Sequence, residues 1–308
     1  AHTAGINILR NSANGEYLLT ASYDNTIKIW SIQKGESFGR VYNEYFEPNV
    51  VDAAFFEEGR KFFIATSEGY LTLFEAGIGE IERLSIPGGI RSIALSRDPL
   101  YNSAAVLLKE RNSLAIIDAS RTLKRTKEIV LPFEAVDCIV ENNWNGVYVK
   151  SSIDDVYYVD LSQKNSISKV ATSPSFKLIF DRKDGFVVNI AKNGTYEMLS
   201  NGKVAAVEPY FQRLNETTCF GNNRMQTFSF TVDSAFLFFE GKSIKRSIEN
   251  KRLNNAAFCG QDYIAAGEKS GNMIFYSTDF LKESSMTFPK TPIFRNLNVG
   301  KKWTALIN

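Results

Sequence analysis

Along the whole chain, segments of about five to eight residues rich in Val, Ile, Phe, Tyr and Leu are separated by turns of Gly, Asn, Asp or Ser. No stretch keeps a helical apolar period for three turns, so the pattern predicts an all-β protein. A two-strand unit, in which a polar turn joins two such segments, is found at GEYLLTASYDNTIKIWSI (15–32) and GRKFFIATSEGYLTLFEA (59–76). The same shape returns at 102–119, 145–161, 184–200, 225–241 and 261–278, making seven copies.

An apolar strand precedes each copy, opening at Ile6, Val51, Ile90, Val136, Phe176, Leu214 and Leu253, so successive units are 38 to 46 residues apart. A period near ~40 with four short strands per unit is the mark of a propeller blade. A single four-stranded sheet cannot bury both of its faces, whereas a ring of sheets packed face to face shares one continuous core. The expected fold is a seven-bladed β-propeller of four-stranded antiparallel blades over residues 1–290. Residues 291–308, TPIFRNLNVGKKWTALIN, form a tail that looks like the first two strands of a further blade.

The stretch His2 to Trp30, with HTAGINIL, LLTASYD and NTIKIW, resembles a WD40 repeat. In that family a His, a Ser or Thr, a turn Asp and a Trp form a buried hydrogen-bonded chain, and the resemblance places these roles on His2, Ser22, Asp24 and Trp30. The family's closing Trp-Asp pair is Trp30-Ser31 here, and blades 3 and 4 keep its second half in Ile117-Asp118 and Val159-Asp160. No other histidine exists in the chain, so the remaining blades are expected to hold by apolar packing. The family usually completes its last blade with an N-terminal strand. None precedes His2, which suggests an excerpt of a longer protein or a latch strand supplied from elsewhere.

Composition narrows the function. The 308 residues carry 36 Lys plus Arg against 34 Asp plus Glu, a net charge of +2, which argues against nucleic acid as a direct partner. Apolar runs are too short to cross a bilayer as a helix, and no signal segment opens the chain. Cys138, Cys219 and Cys259 are widely spaced, unlike a disulfide framework or a zinc site, so an intracellular, cytoplasmic or nuclear setting is expected. The single histidine removes nucleophile systems built on Ser-His-Asp or Cys-His and removes multi-histidine metal sites. No phosphate loop, dinucleotide fingerprint or calcium loop is present, so no cofactor is expected.

What remains is binding. By the blade alignment, the residues that follow the openers ring one mouth of the central channel: Asn7, Asp52, Arg91, Asp137, Lys177, Asn215 and Asn254. Residues at the turns between second and third strands should surround them: Tyr23, Ser67, Lys109, Asp154, Lys192, Val232 and Lys269. In families resembling this one, that face docks peptides and helices of partner proteins. The expected partners are therefore other proteins within a larger complex. Arg91, Lys109 and Lys177 form the sharper candidate, as receivers of an acidic or phosphorylated segment. Basic runs at Arg121, Lys124, Arg125 and Lys127, and at Lys242, Lys245, Arg246, Lys251 and Arg252, are expected on outer strands, where they deter sheet pairing. Phosphoinositide-binding propellers use a Phe-Arg-Arg-Gly motif, and the nearest counterpart, Phe294-Arg295-Asn296-Leu297, lacks two of its residues, so lipid binding is not favoured. Asp52 and Asp137 are the only acidic pair at the mouth that could serve a hydrolase.

Overall fold

The computed structural model describes residues 2–12, 17–32, 38–45, 49–56, 61–75, 78–96, 101–162, 165–181, 185–209, 218–221, 226–239, 242–248, 252–259, 263–277 and 283–286. In that span every regular element is a β-strand. Blade 1 sets the pattern: β1 (Ile6–Asn11), β2 (Tyr17–Ser22), β3 (Thr26–Ile32) and β4 (Phe38–Tyr45) pair antiparallel in chain order. Six further four-stranded sheets repeat it, so the protein is a seven-bladed β-propeller. Their first strands are Val50–Phe56, Ile90–Leu95, Ala135–Val140, Ser175–Asp181, Cys219–Phe220 and Leu253–Cys259. First strands of blades 7, 1, 2, 3, 4 and 5 touch in succession, as do those of blades 6 and 7, which places them around the axis.

The seven two-strand units of the sequence are the second and third strands of the blades. These middle strands are apolar on both faces because each face packs on a neighbouring blade. In β2 every residue after Tyr17 is buried, and the same holds for Ser103–Leu108 in blade 3. Ile8, Leu19 and Ile27 pack with Phe62, Ile64 and Phe74 between blades 1 and 2, and Phe63 and Leu71 with Ile90 and Val106 between blades 2 and 3. Each such side chain contributes roughly 1.5–3 kcal/mol when fully buried, so the blade interfaces carry most of the apolar stabilisation. Outer strands differ: Lys203–Pro209 has no buried residue. Of the basic runs, Lys124, Arg125 and Lys127 fall there in Lys124–Val130, and Lys242, Lys245 and Arg246 in Lys242–Ser247, whereas Arg121 precedes its strand, Arg252 precedes the first strand of blade 7, and Lys251 lies outside the described residues.

One register correction follows from a repeated irregularity. In each of blades 1, 2, 3, 4, 5 and 7 the first strand carries a β-bulge near its start, at Asn7, Val51, Arg91, Val136, Phe176 and Asn254. Val51, Val136 and Phe176 are thus bulge residues rather than strand openers, and the openers are Val50, Ala135 and Ser175. A bulge sets two residues opposite one, so alternation cannot tell which of two adjacent residues begins the ladder. Leu214 and Asn215 lie outside the described residues, as does the whole tail 291–308 with Phe294 and Arg295.

The expected latch strand is not needed to complete blade 7, whose outer strand Glu283–Met286 pairs with Met273–Ser277 of the same repeat. The seam between blades 7 and 1 is held instead by packing and polar bonds. Ile6, Leu9 and Trp30 meet Ala265, Met273 and Phe275. Asn254 Nδ2 donates to Ile6 O at 2.7 Å, Asn255 Nδ2 to Asn7 O at 2.9 Å, and His2 N to Gly271 O at 3.1 Å. Two glycines allow this approach. A Cβ on Gly271, whose φ is +90°, would lie 2.2 Å from His2 O, and one on Gly267 would lie 2.8 Å from Ile6 Cβ.

Candidate interaction face

Blade 1 contains the buried chain of hydrogen bonds that its sequence suggests, with one change of member. His2 is buried, and its Nε2 lies 2.7 Å from Thr20 Oγ1, which also accepts the Trp30 Nε1 proton at 2.9 Å. On the other side of the ring, Nδ1 is 2.9 Å from Thr26 Oγ1 and 3.3 Å from both oxygens of Asp24. Thr20, not Ser22, therefore links His2 to Trp30. Ser22 instead donates to Ala4 O at 3.0 Å and accepts the Asp24 amide at 3.2 Å. Both hydroxyls lie on the same face of β2, two residues apart, and the pleat sets Thr20 at the depth of the indole. Burial lowers the His2 pKa against the opposing pull of Asp24, and Nδ1 is the ring nitrogen that faces Asp24. Burial works against the Asp24 carboxylate too, but hydrogen bonds from His2, Thr26 and the Thr3 amide hold it well below the usual carboxylate range.

Blades without histidine are not purely apolar, contrary to the expectation above. In blade 4 the buried Glu141 accepts Tyr148 Oη at 3.2 Å, Tyr158 Oη at 3.0 Å and the Asn201 amide of blade 5 at 2.7 Å. Burial and the nearby Glu141 raise the pKa of both phenols. In blade 5, Glu197 accepts Asn189 Nδ2 at 2.8 Å and the Ser173 amide at 3.0 and 3.1 Å. A buried polar group that loses its partners costs more than it gains by pairing, so these hydrogen-bonded sets are structural. Only the glutamates in otherwise apolar strands hint at them in the sequence.

The channel residues divide sharply from the turn residues. The first strand of a blade is an edge strand, and its unpaired backbone groups need partners. Side chains from the wall supply them. Asp52, only 6% exposed, accepts Ala53 N at 2.8 Å, Ile93 N of blade 3 at 3.0 Å and the Arg10 guanidinium of blade 1 at 3.0 Å. One carboxylate thereby ties three blades. Asp137 accepts Cys138 N at 2.9 Å, and Asn255 accepts Ala256 N at 2.8 Å in the same position of its blade. Lys150 donates to Phe176 O at 2.9 Å and Lys177 to Thr218 O at 3.0 Å, each reaching into the next blade. Burial raises the Asp137 pKa, helped by the Asp52 charge and opposed by the Cys138 amide bond, Lys177 and Arg10. Burial lowers the Lys177 pKa, against the pull of Cys219 and Asp137. Asp52, Asp137 and Lys177 are thus wall residues that repair strand edges.

At the mouth, a second repeated bond fixes the turn residues. In six of the seven blades the amide of the residue that follows the second strand donates to the carbonyl just before the first strand: Tyr23 to Gly5, Ser67 to Asn49, Lys109 to Gly89, Ser152 to Glu134, Lys192 to Pro174 and Lys269 to Arg252. Tyr23, Ser67, Lys109, Lys192 and Lys269 thus occupy equivalent positions in their blades, and their counterpart in blade 4 is Ser152 rather than Asp154. In blade 6, Thr231 is the first turn residue and Val232 the second.

Of the sharper basic candidate, Arg91 pairs with Glu134 at 3.3 Å and Lys177 belongs to the wall, leaving Lys109 alone at the exposed turn. Lys192 and Lys150 converge on Asp154 at 2.5 and 3.0 Å. The same face carries three well exposed apolar side chains at turn tips: Tyr23 at 69%, Ile153 at 73% and Val232 at 90%.

Two comparisons bear on this architecture. The family model for the WD domain, G-beta repeat (WD40), matches residues 1–31. Among solved structures, the β-propeller domain of Cps50 (Swd1) from Myceliophteria thermophila superimposes with a TM-score of 0.69. It is 13% identical, and the match covers 89% of this chain and 96% of that one, a likeness of fold.

Proposed function

We propose that this chain, a WD40-repeat β-propeller, is a non-catalytic interaction platform that holds partner proteins of an intracellular assembly on the face formed by its turns between second and third strands. One observation carries the reading: the polar residues of the channel wall repair strand edges, whereas the turn tips on that face present apolar side chains to solvent on a rigid frame. Partners that meet Tyr23, Ile153 and Val232 need not order the surface first, which lowers the cost of association. A hydrolase using Asp52 and Asp137 gains no support, because Asp52 is occupied by Arg10 and two amides. Recognition of a phosphorylated ligand by Arg91 and Lys177 likewise loses its two main residues to Glu134 and Thr218. The setting inside the cell rests on the cysteines: Cys138 and Cys219 are unbridged thiols with raised pKa values, Cys219 pushed up to about 12 by burial.

Affinity capture of the protein from its native cells, washed at low and at high salt and read by mass spectrometry, tests the proposal. A set of proteins that survives high salt is the expected result, since apolar contacts outlast screening. If no protein stays bound, the platform reading fails.

A further inference from the structure

Charges on the turn face are distributed unevenly. Between blades 3 and 5 three cations are already matched, Arg91 by Glu134 and both Lys150 and Lys192 by Asp154. In blade 3, Lys109 and Arg111 flank the exposed Glu110. The seam between blades 7 and 1 is different. Arg252 and Lys269 are both exposed and joined by the Lys269 N to Arg252 O bond at 2.8 Å. Neither meets a carboxylate among the described residues. The nearby acids are engaged: Asp24 by His2, Thr3 and Thr26, and Glu268 by Ser270 Oγ at 2.8 Å and Asn272 Nδ2 at 3.1 Å. Tyr23 stands beside the backbone of Lys269 across Gly5. A Cβ on Gly5 would lie 3.6 Å from Tyr23 Cδ2 and 3.4 Å from Lys269 O, so the exposed ring and the lysine backbone flank the same glycine.

We infer that Tyr23, Arg252 and Lys269, brought together across the seam, form a docking site for an acidic peptide segment that carries an aromatic side chain. The inference rests on the platform reading and names the partner's chemistry. Two unmatched cations favour carboxylates, with the guanidinium able to take one in a bidentate fork. Exposed ion pairs alone are weak, so affinity has to come from a second element, and the open Tyr23 face offers offset stacking to an aromatic ring. The backbone bonds from Tyr23 to Gly5 and from Lys269 to Arg252 hold the backbone from which the three side chains project.

The test uses the full chain and short fluorescein-labelled peptides of Asp, Glu, Gly and Ser with one central Phe, read by fluorescence anisotropy. Controls replace the Phe by Ala, or the acids by Lys. The acidic Phe peptide should bind saturably, each control should be about tenfold weaker or more, and raising salt from about 50 to about 500 mM should weaken binding. Tyr23→Ala, Lys269→Glu and Arg252→Glu should each lose about tenfold, while Tyr23→Phe and the blade 3 variant Lys109→Glu should bind as the wild type does. Absence of saturable binding by any acidic peptide overturns the site, as does unchanged affinity in Tyr23→Ala and Lys269→Glu with the fold intact by circular dichroism. Equal competition by a short RNA or by phosphoinositide vesicles also overturns it. Cell capture separates this failure from that of the platform: proteins held equally by wild type and Lys269→Glu sink the seam site and leave the platform standing. No protein held by wild type removes both.

Discussion

Blades 1 and 5 solve the same problem at matching positions with opposite chemistry. In each, the chain entering the first strand must be fastened to the middle strands. Blade 1 inserts the His2 ring between Thr20 and Asp24 and closes the set with Trp30. Blade 5 places Asn189 opposite Glu197 where blade 1 pairs Thr20 with Lys28, and Glu197 grips the Ser173 amide. Even the turns agree, since Thr26 donates twice to Asp24 and Thr195 twice to Asn193. What the position requires is a buried set of hydrogen bonds that fastens the entering chain, and a base or an acid can anchor it.

That equivalence can be broken by substitution, read as unfolding free energy in denaturant. Trp30→Ala should have the largest effect, about 3–5 kcal/mol, because a fully buried indole is lost and a cavity remains. Glu197→Ala should cost about 2–3 kcal/mol by stranding the Ser173 amide and one Asn189 contact; a cost under about 0.5 kcal/mol would show that blade 5 has no true counterpart to the histidine set. Thr20→Val, which leaves the Trp30 N–H without its acceptor, should cost about 2 kcal/mol, and Ser22→Ala about 1 kcal/mol. Reversal of that last order would restore Ser22 to the chain. The smallest effect is on pH. His2 is the only histidine and its folded pKa is lowered, so its contribution is full above its ordinary value of 6.5 and declines as pH falls through it. The melting temperature should therefore drop between pH 7.5 and 5.5, and His2→Gln should flatten that slope.

The ring was readable because every blade must bury both faces of its middle strands, which forces paired apolar segments such as 61–75 and 186–200 to recur. Bulge positions were not readable, since Val50 and Val51 are alike and nothing marks which one pairs. Among site residues, Tyr23, Lys109, Lys192 and Lys269 followed from turn spacing alone. The roles of Asp52 and Lys177 did not, because the backbone groups that they serve across blades, Ile93 N and Thr218 O, belong to other segments of the chain. Thr20 was missed for a smaller reason: a two-residue step along a strand keeps the face and changes only the depth.

Among the described residues no blade borrows a strand, and such a ring behaves mechanically as a split washer. Traction applied to the segments flanking β1 and the strand Glu283–Met286 is directed at a single joint, where the Asn254 and Asn255 amides and one backbone bond join the apolar contact. That joint should part before any blade unravels, so the first yield under force would be a gap beside Tyr23 and Lys269, and a partner clamped across it would act as the rivet.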